Sequence, residues 1–157
     1  MIIYWIVFLY YSQWFGMEVD IVRVRVYCII MKYVKFNLNP SCKKASDCVV
    51  RAIMKAMGKT WAETYSDLCK LGLELFDMPN ANRVYAEYLN RNGWQKMPMP
   101  RFPDNTRYTV EEFADKYNNG IYIISVAHHL TVIIDGVLFD TWDCSRKSVG
   151  NFWQLSK

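Results

Sequence analysis

Cys48, His129 and Asp140 are residue types that together can carry nucleophilic acyl chemistry. A thiol near neutral pH is mostly protonated, so its use as a nucleophile depends on what lowers its pKa. A helix N-terminus favours the thiolate, and a neighbouring imidazolium favours it further. A carboxylate on the other ring nitrogen fixes the tautomer and direction of the imidazole. For each of these conditions the chain offers a place. Cys48 follows Ser46-Asp47, either of which can cap a helix, while His129 opens an apolar run and Asp140 lies in the next one.

The elements that must position these residues can be read from periodicity. Asp47 to Met57 reads DCVVRAIMKAM, with Val49, Val50, Ile53 and Met57 recurring on one side of a helix that Gly58 stops. Cys48 therefore falls in the first turn. Thr60-Trp61-Ala62-Glu63 is a capping box opening a second helix, expected to run to about Leu71. A third helix covers Ala81 to Asn92 and ends at Gly93. Pro98, Pro100 and Pro103 make residues 97–104 an irregular loop, and Thr109-Val110-Glu111-Glu112 opens a short helix ending near Asn118-Asn119-Gly120. Then the period changes. Ile121–Ala127, His129–Ile134 and Val137–Trp142 read as strands, and Asp135-Gly136 is a type I′ hairpin signal between the last two. Lys32–Phe36 is a short strand or extended lead. Helices first and an antiparallel sheet after place the chain in the α+β class, with the helix that bears Cys48 packed on the sheet.

The hairpin sets a register. With Asp135 and Gly136 as the two turn residues, Ile134 lies opposite Val137, Thr131 faces Asp140 and His129 faces Trp142. His129 and Asp140 are then diagonal neighbours on one face, within side-chain hydrogen-bonding reach. His128 and Asp143 compete for the base and acid roles, but parity points them to the opposite face. The face shared by His129 and Asp140 is expected to look onto Cys48, with Trp142 packed beside the imidazole. Arg51, one turn from Cys48, has a structural ion pair as its default reading, and Trp153 that of a core residue.

The order Cys48, His129, Asp140 resembles that of papain-like cysteine peptidases, whose cysteine opens a central helix and whose histidine begins a sheet strand. Asp140-Thr141-Trp142 is similar to the Asn-Ser-Trp of that family, with Asp in place of Asn. Asp47-Cys48-Val49-Val50-Arg51-Ala52, taken with His129-Leu130-Thr131-Val132, also looks like small papain-fold proteins of phages and bacteria. The resemblance covers about Met31 to Trp153. It implies a thiol hydrolase, a cysteine peptidase or isopeptidase, that forms a Cys48 thioester with His129 as base and Asp140 as its orienter. The substrate would be a protein or peptide, and no cofactor would be needed. The Gln that such enzymes carry shortly before the cysteine is replaced by Cys42, which leaves the Cys48 backbone N–H and, more weakly, Asn39 or Asn37 as oxyanion donors. Two alternatives stay open: a transglutaminase-like acyltransferase, and a non-catalytic papain-fold module that binds a protein partner, as a phage accessory factor would.

The bulk numbers are compatible with this. The chain has 157 residues, enough for one sizeable core. At 52% hydrophobic and 22% charged it has a globular composition. The net charge of +4 comes from scattered lysines and arginines, so nucleic acid is not an expected partner. Five cysteines at irregular spacing, with no C-x-x-C pair, fit neither a zinc ribbon nor a disulfide framework. No metal is expected; the rival ligand set would be Cys42, Cys48, Cys144 and one histidine. Cys69 reads as core. A reduced thiol goes with a cytoplasmic location, the host cytoplasm if the chain is phage-encoded.

Residues 1–30 stand apart as an apolar extension. Ile2 to Tyr11 is too short to span a bilayer and lacks the features of a secretory signal. Val19 to Tyr27 alternates like a strand. The preferred reading is sequence upstream of a true start at Met17 or Met31, with the domain proper over 31–157. A short interfacial anchor making membrane contact through residues 2–16 is the runner-up, and an extra hairpin the third.

Overall fold

In the computed structural model the chain divides into two units, Met1–Ile30 and Met31–Lys157. The structure describes residues 32–43 and 45–156. The readings made for residues 1–30 lie outside that range.

The second unit holds four helices and one six-stranded sheet, an α+β arrangement. In chain order these are β1 (Tyr33–Lys35), α1 (Cys48–Met57), α2 (Trp61–Leu75), α3 (Asn82–Arg91), β2 (Trp94–Met97), α4 (Val110–Lys116), β3 (Ile121–Val126), β4 (His129–Ile134), β5 (Val137–Asp140) and β6 (Phe152–Leu155). The strands lie in the order β1-β5-β4-β3-β6-β2.

Most helix ends follow the local chemistry. Thr60 and Thr109 form complete capping boxes with Glu63 and Glu112, and Gly58 ends α1 in the left-handed region at φ 66°. α2 runs one turn past its expected end at Leu71 and stops at Phe76, itself left-handed. Gly72 makes that ending fit: a Cβ there would sit 2.6 Å from the Asp77 carbonyl oxygen.

The sheet departs from expectation in three ways. It is mixed and not antiparallel throughout, because β1 runs parallel to β5. Two strands, β2 and β6, were not anticipated; they pair with each other, and β6 also pairs with β3. The third strand of the central meander ends at Asp140, two residues short of Trp142.

The hairpin came out as read. Asp135 and Gly136 both have positive φ, at 48° and 77°, as a type I′ turn requires. Ile134 pairs with Val137 and Val132 with Phe139. Asp135 Oδ1 accepts the Gly120 N–H at 2.8 Å, which ties the turn to the start of β3.

Apolar side chains cover both sheet faces. On one, Ile53 of α1, Leu68 of α2 and Val84 and Leu89 of α3 close over Ile123, Leu130, Val132 and Trp153. On the other, Val110 and Phe113 of α4 meet Ile124, Ile133, Leu138 and Phe152. Ile53, Phe113 and Ile133 are fully buried, each burial being worth roughly 1.5–3 kcal/mol. Among the described residues no helix is long and apolar enough to cross a membrane.

Candidate active site

Cys48 is the first residue of α1. Asp47 occupies the N-cap position, but its side chain makes no cap hydrogen bond. Its carboxylate is drawn elsewhere: Oδ2 accepts the Asn39 amide and the Trp61 indole N–H, each at 3.0 Å. Oδ1 lies 3.0 Å from Arg51 Nε, an ion pair without the alignment of a hydrogen bond. Among the described residues no side chain therefore takes the first-turn N–H groups, and the positive end of the helix is left to act on the sulfur.

The Cys48 thiol is half-buried. Burial alone pushes its pKa up. The His129 side chain, a hydrogen bond from the Leu130 backbone and the positive charges of His129 and Arg51 outweigh that and hold it below the ordinary thiol range.

His129 is the first residue of β4 and Asp140 the last of β5. His129 Nε2–H donates to Asp140 Oδ2 at 2.5 Å. The Asp140 carboxylate is further fixed by the Thr141 N–H, which donates to Oδ1 at 2.6 Å. Burial lowers the imidazole's pKa, but Asp140 and Cys48 together raise it to about 9. Burial likewise pushes Asp140 up, and His129, Thr131 and the Thr141 amide bring it below the usual carboxylate range. With Nε2 committed to Asp140, Nδ1 is the ring nitrogen left to face sulfur.

The register follows the expectation, with Ile134 opposite Val137 and Val132 opposite Phe139. Leu130, Val132 and Phe139 pack toward α1, whereas Ile133 and Leu138 pack toward α4. By alternation His129, Thr131 and Asp140 share the parity of Ile133 and Leu138, yet Thr131 and Asp140 also line a small hollow with Cys48, Arg51 and Ala52 of α1. The imidazole of His129, the first residue of β4, acts on the Cys48 thiol, as expected of that face.

His128 also differs from expectation. It is not a strand residue pointing away but part of the β3–β4 turn, left-handed at φ 55°. Both histidines line a cavity of about 480 Å³ that reaches Cys48; only His129 is bonded to Asp140. The Trp142 ring sits 5.5 Å from the His129 ring and is 42% exposed, so it forms a partial lid on one side of the imidazole. Asp143 faces solvent and accepts the Ser145 N–H. Asn39 is buried behind α1, with its amide nitrogen on Asp47 and its oxygen accepting the Ser41 N–H.

Several contributors lay beyond sequence reasoning. Cys144, 1% exposed, donates its thiol to Asp140 Oδ2 at 3.8 Å. Burial and the Asp140 charge push its pKa to about 12, so it stays a neutral donor. Cys144, His129 and Asp140 have ligand atoms within 4.8 Å of one another and are the described residues best placed to hold a metal. That set shares only Cys144 and the histidine with the rival set expected from sequence. Trp153 is a core residue, as expected, and its ring also forms a wall of the cavity, beside Tyr85 and Lys96. The Leu130 backbone bond to sulfur has no sequence signal at all.

No protein-family model, no curated protein and no solved structure matches this chain.

Proposed function

We propose that this chain is a thiol hydrolase of papain-like type that cleaves peptide or isopeptide bonds through a thioester on Cys48. The supporting observation is the 2.5 Å bond from His129 to Asp140, with the imidazole also acting on a thiol of lowered pKa at a helix N-terminus.

In the resting site the thiolate and imidazolium form a pair. Sulfur attacks the substrate carbonyl carbon, and the oxygen gains negative charge near the Cys48 N–H. The carbon–nitrogen bond breaks, and the His129 proton passes to the leaving amine. Neutral His129 then takes a proton from water, which attacks the thioester. The carbon–sulfur bond breaks, releasing the acid and restoring the thiolate. Asp140 keeps Nε2–H engaged throughout and stabilises the imidazolium. With an amine in place of water the same steps give acyl transfer.

One observation favours a second reading, a non-catalytic module that binds a protein partner. The Asn39 amide, the side-chain oxyanion donor suggested by sequence, is spent on Asp47. Incubation with a mixture of unrelated peptides and proteins, read by mass spectrometry, separates the two. The hydrolase gives cleavage products and an acyl adduct on Cys48, both lost in Cys48→Ala. Intact substrates with no adduct would leave the binding module.

A further inference from the structure

The cavity that reaches Cys48 does not end at Trp153. A second hollow of about 460 Å³ lies between α3 and the β2–β6 pair, and the two share Ala86, Lys96 and Trp153 as common walls. Together they form one cleft running from the thiol across the Trp153 ring.

The charges along it are one-sided. Among the described residues no Asp or Glu lines the first hollow, and the one permanent cation there is Lys96. The second adds Arg83 and Glu87. Glu87 is already paired, its carboxylate 2.8 Å from Arg91 Nε. Among the described residues neither Lys96 nor Arg83 has an acidic partner within 4.0 Å. Lys96 Nζ lies 5.7 Å from the centre of the Trp153 ring, so the charge is held over the cleft floor. Asn80, Asn82 and Asn151 add amide groups to the first hollow, suited to the N–H and C=O groups of an extended chain.

We infer that the cleft takes an extended polypeptide segment carrying acidic side chains, with Lys96 and Arg83 reading its carboxylates on the Trp153 side of the reacting bond. This rests on the hydrolase reading for its purpose, but not for its test. A single acidic residue met by one exposed cation gains about threefold in affinity, and two give on the order of tenfold.

The test is fluorescence anisotropy of the full chain with three labelled peptides of one Gly-Ser backbone, bearing paired Glu, Gln or Lys. In parallel, Cys48 alkylation by low-dose iodoacetamide is followed without peptide. Expected is binding in the order Glu, Gln, Lys, with the Glu preference shrinking as salt rises and reversing in favour of Lys in Lys96→Glu/Arg83→Glu. Raised salt makes the same test on the unaltered chain should the double variant not fold. Equal binding of the three peptides, or a preference insensitive to salt, overturns the inference even if Cys48 alkylates fast. Slow, unselective alkylation of Cys48 with the Glu preference intact overturns the hydrolase reading instead.

Discussion

Two buried carboxylate–cation pairs flank the sulfur of Cys48. Asp47 and Arg51 have side chains 7% and 10% exposed; Asp140 and His129 have 4% and 13%. Burial does not distinguish them. What differs is where the remaining valences go. Asp47 spends both oxygens inside the fold, on Arg51, Asn39 and Trp61. Its partner is a guanidinium, which never gives up its proton in a protein. Asp140 holds one edge of an imidazole whose other edge faces a cavity and a thiol. That partner can gain and lose a proton. The first pair locks the start of α1 to the chain before it; the second leaves a proton available. Removing a member of the first should therefore cost the fold alone, and a member of the second should cost chemistry as well as a pH-dependent part of the stability.

The largest contrast is expected from His129→Ala, which should reduce peptide hydrolysis by roughly 10⁴-fold, with a thermal midpoint below the parent's at neutral pH and close to it above about pH 9. Parallel activity and melting measurements check both halves. Asp47→Ala should act on the fold and not on the reacting groups. It leaves Arg51 buried without its counter-charge, at about 3–5 kcal/mol, read as a drop in the denaturant midpoint. If Asp47→Ala melted like the parent, the distinction between the two pairs would be lost.

Asp140 sharpens the comparison. Asp140→Ala should slow hydrolysis by about 10²-fold, within the range for loss of a positioned proton-transfer partner. Asp140→Asn should lose less, since an amide oxygen can still accept from Nε2–H and orient the ring. Equal losses in the two would show that charge and not orientation is what Asp140 supplies.

The pH dependence follows from the signs of the shifts. His129 is raised to about 9 and Cys48 is lowered, so the thiolate–imidazolium pair exists between the two. Hydrolysis should fall in acid as sulfur is protonated, and fall again as pH rises through about 9. His129, raised above its ordinary value, also contributes stability that is complete below about pH 6.5 and is lost through about pH 9. In His129→Ala that alkaline loss of stability should vanish from a pH series of melting curves.

The smallest effect belongs to Cys144. Cys144→Ala removes a weak donor from Asp140 Oδ2 and should cost only a few-fold in rate, with a shifted acid limb. Cys144→Ser, which keeps a donor, should restore that limb.

Much of this site was legible in the sequence for local reasons. Asp135-Gly136 fixed the turn and therefore the register that brings His129 to Asp140, and the amphipathic run after Asp47 fixed Cys48 at a helix start. What escaped reading is non-local. β2 and β6 are four residues each and pair across a long stretch of chain, so neither Trp94–Met97 nor Phe152–Leu155 shows an alternation long enough to recognise. β1 joins β5 in parallel, which no turn signal can announce. Asp47 looked like a helix cap, and only the folded positions of Arg51, Asn39 and Trp61 divert its carboxylate. Parity placed His129 and Asp140 on a common face correctly.

The most direct test is the pH–rate profile of Cys48 alkylation by low-dose iodoacetamide, site-resolved by mass spectrometry, in the parent and in His129→Ala. Fast labelling of Cys48 at neutral pH, ahead of Cys69 and Cys144, with the profile moving alkaline in His129→Ala, is the expected result. Cys48 labelling no faster than Cys69 or Cys144, with a profile unchanged by His129→Ala, would contradict an imidazole-held thiolate.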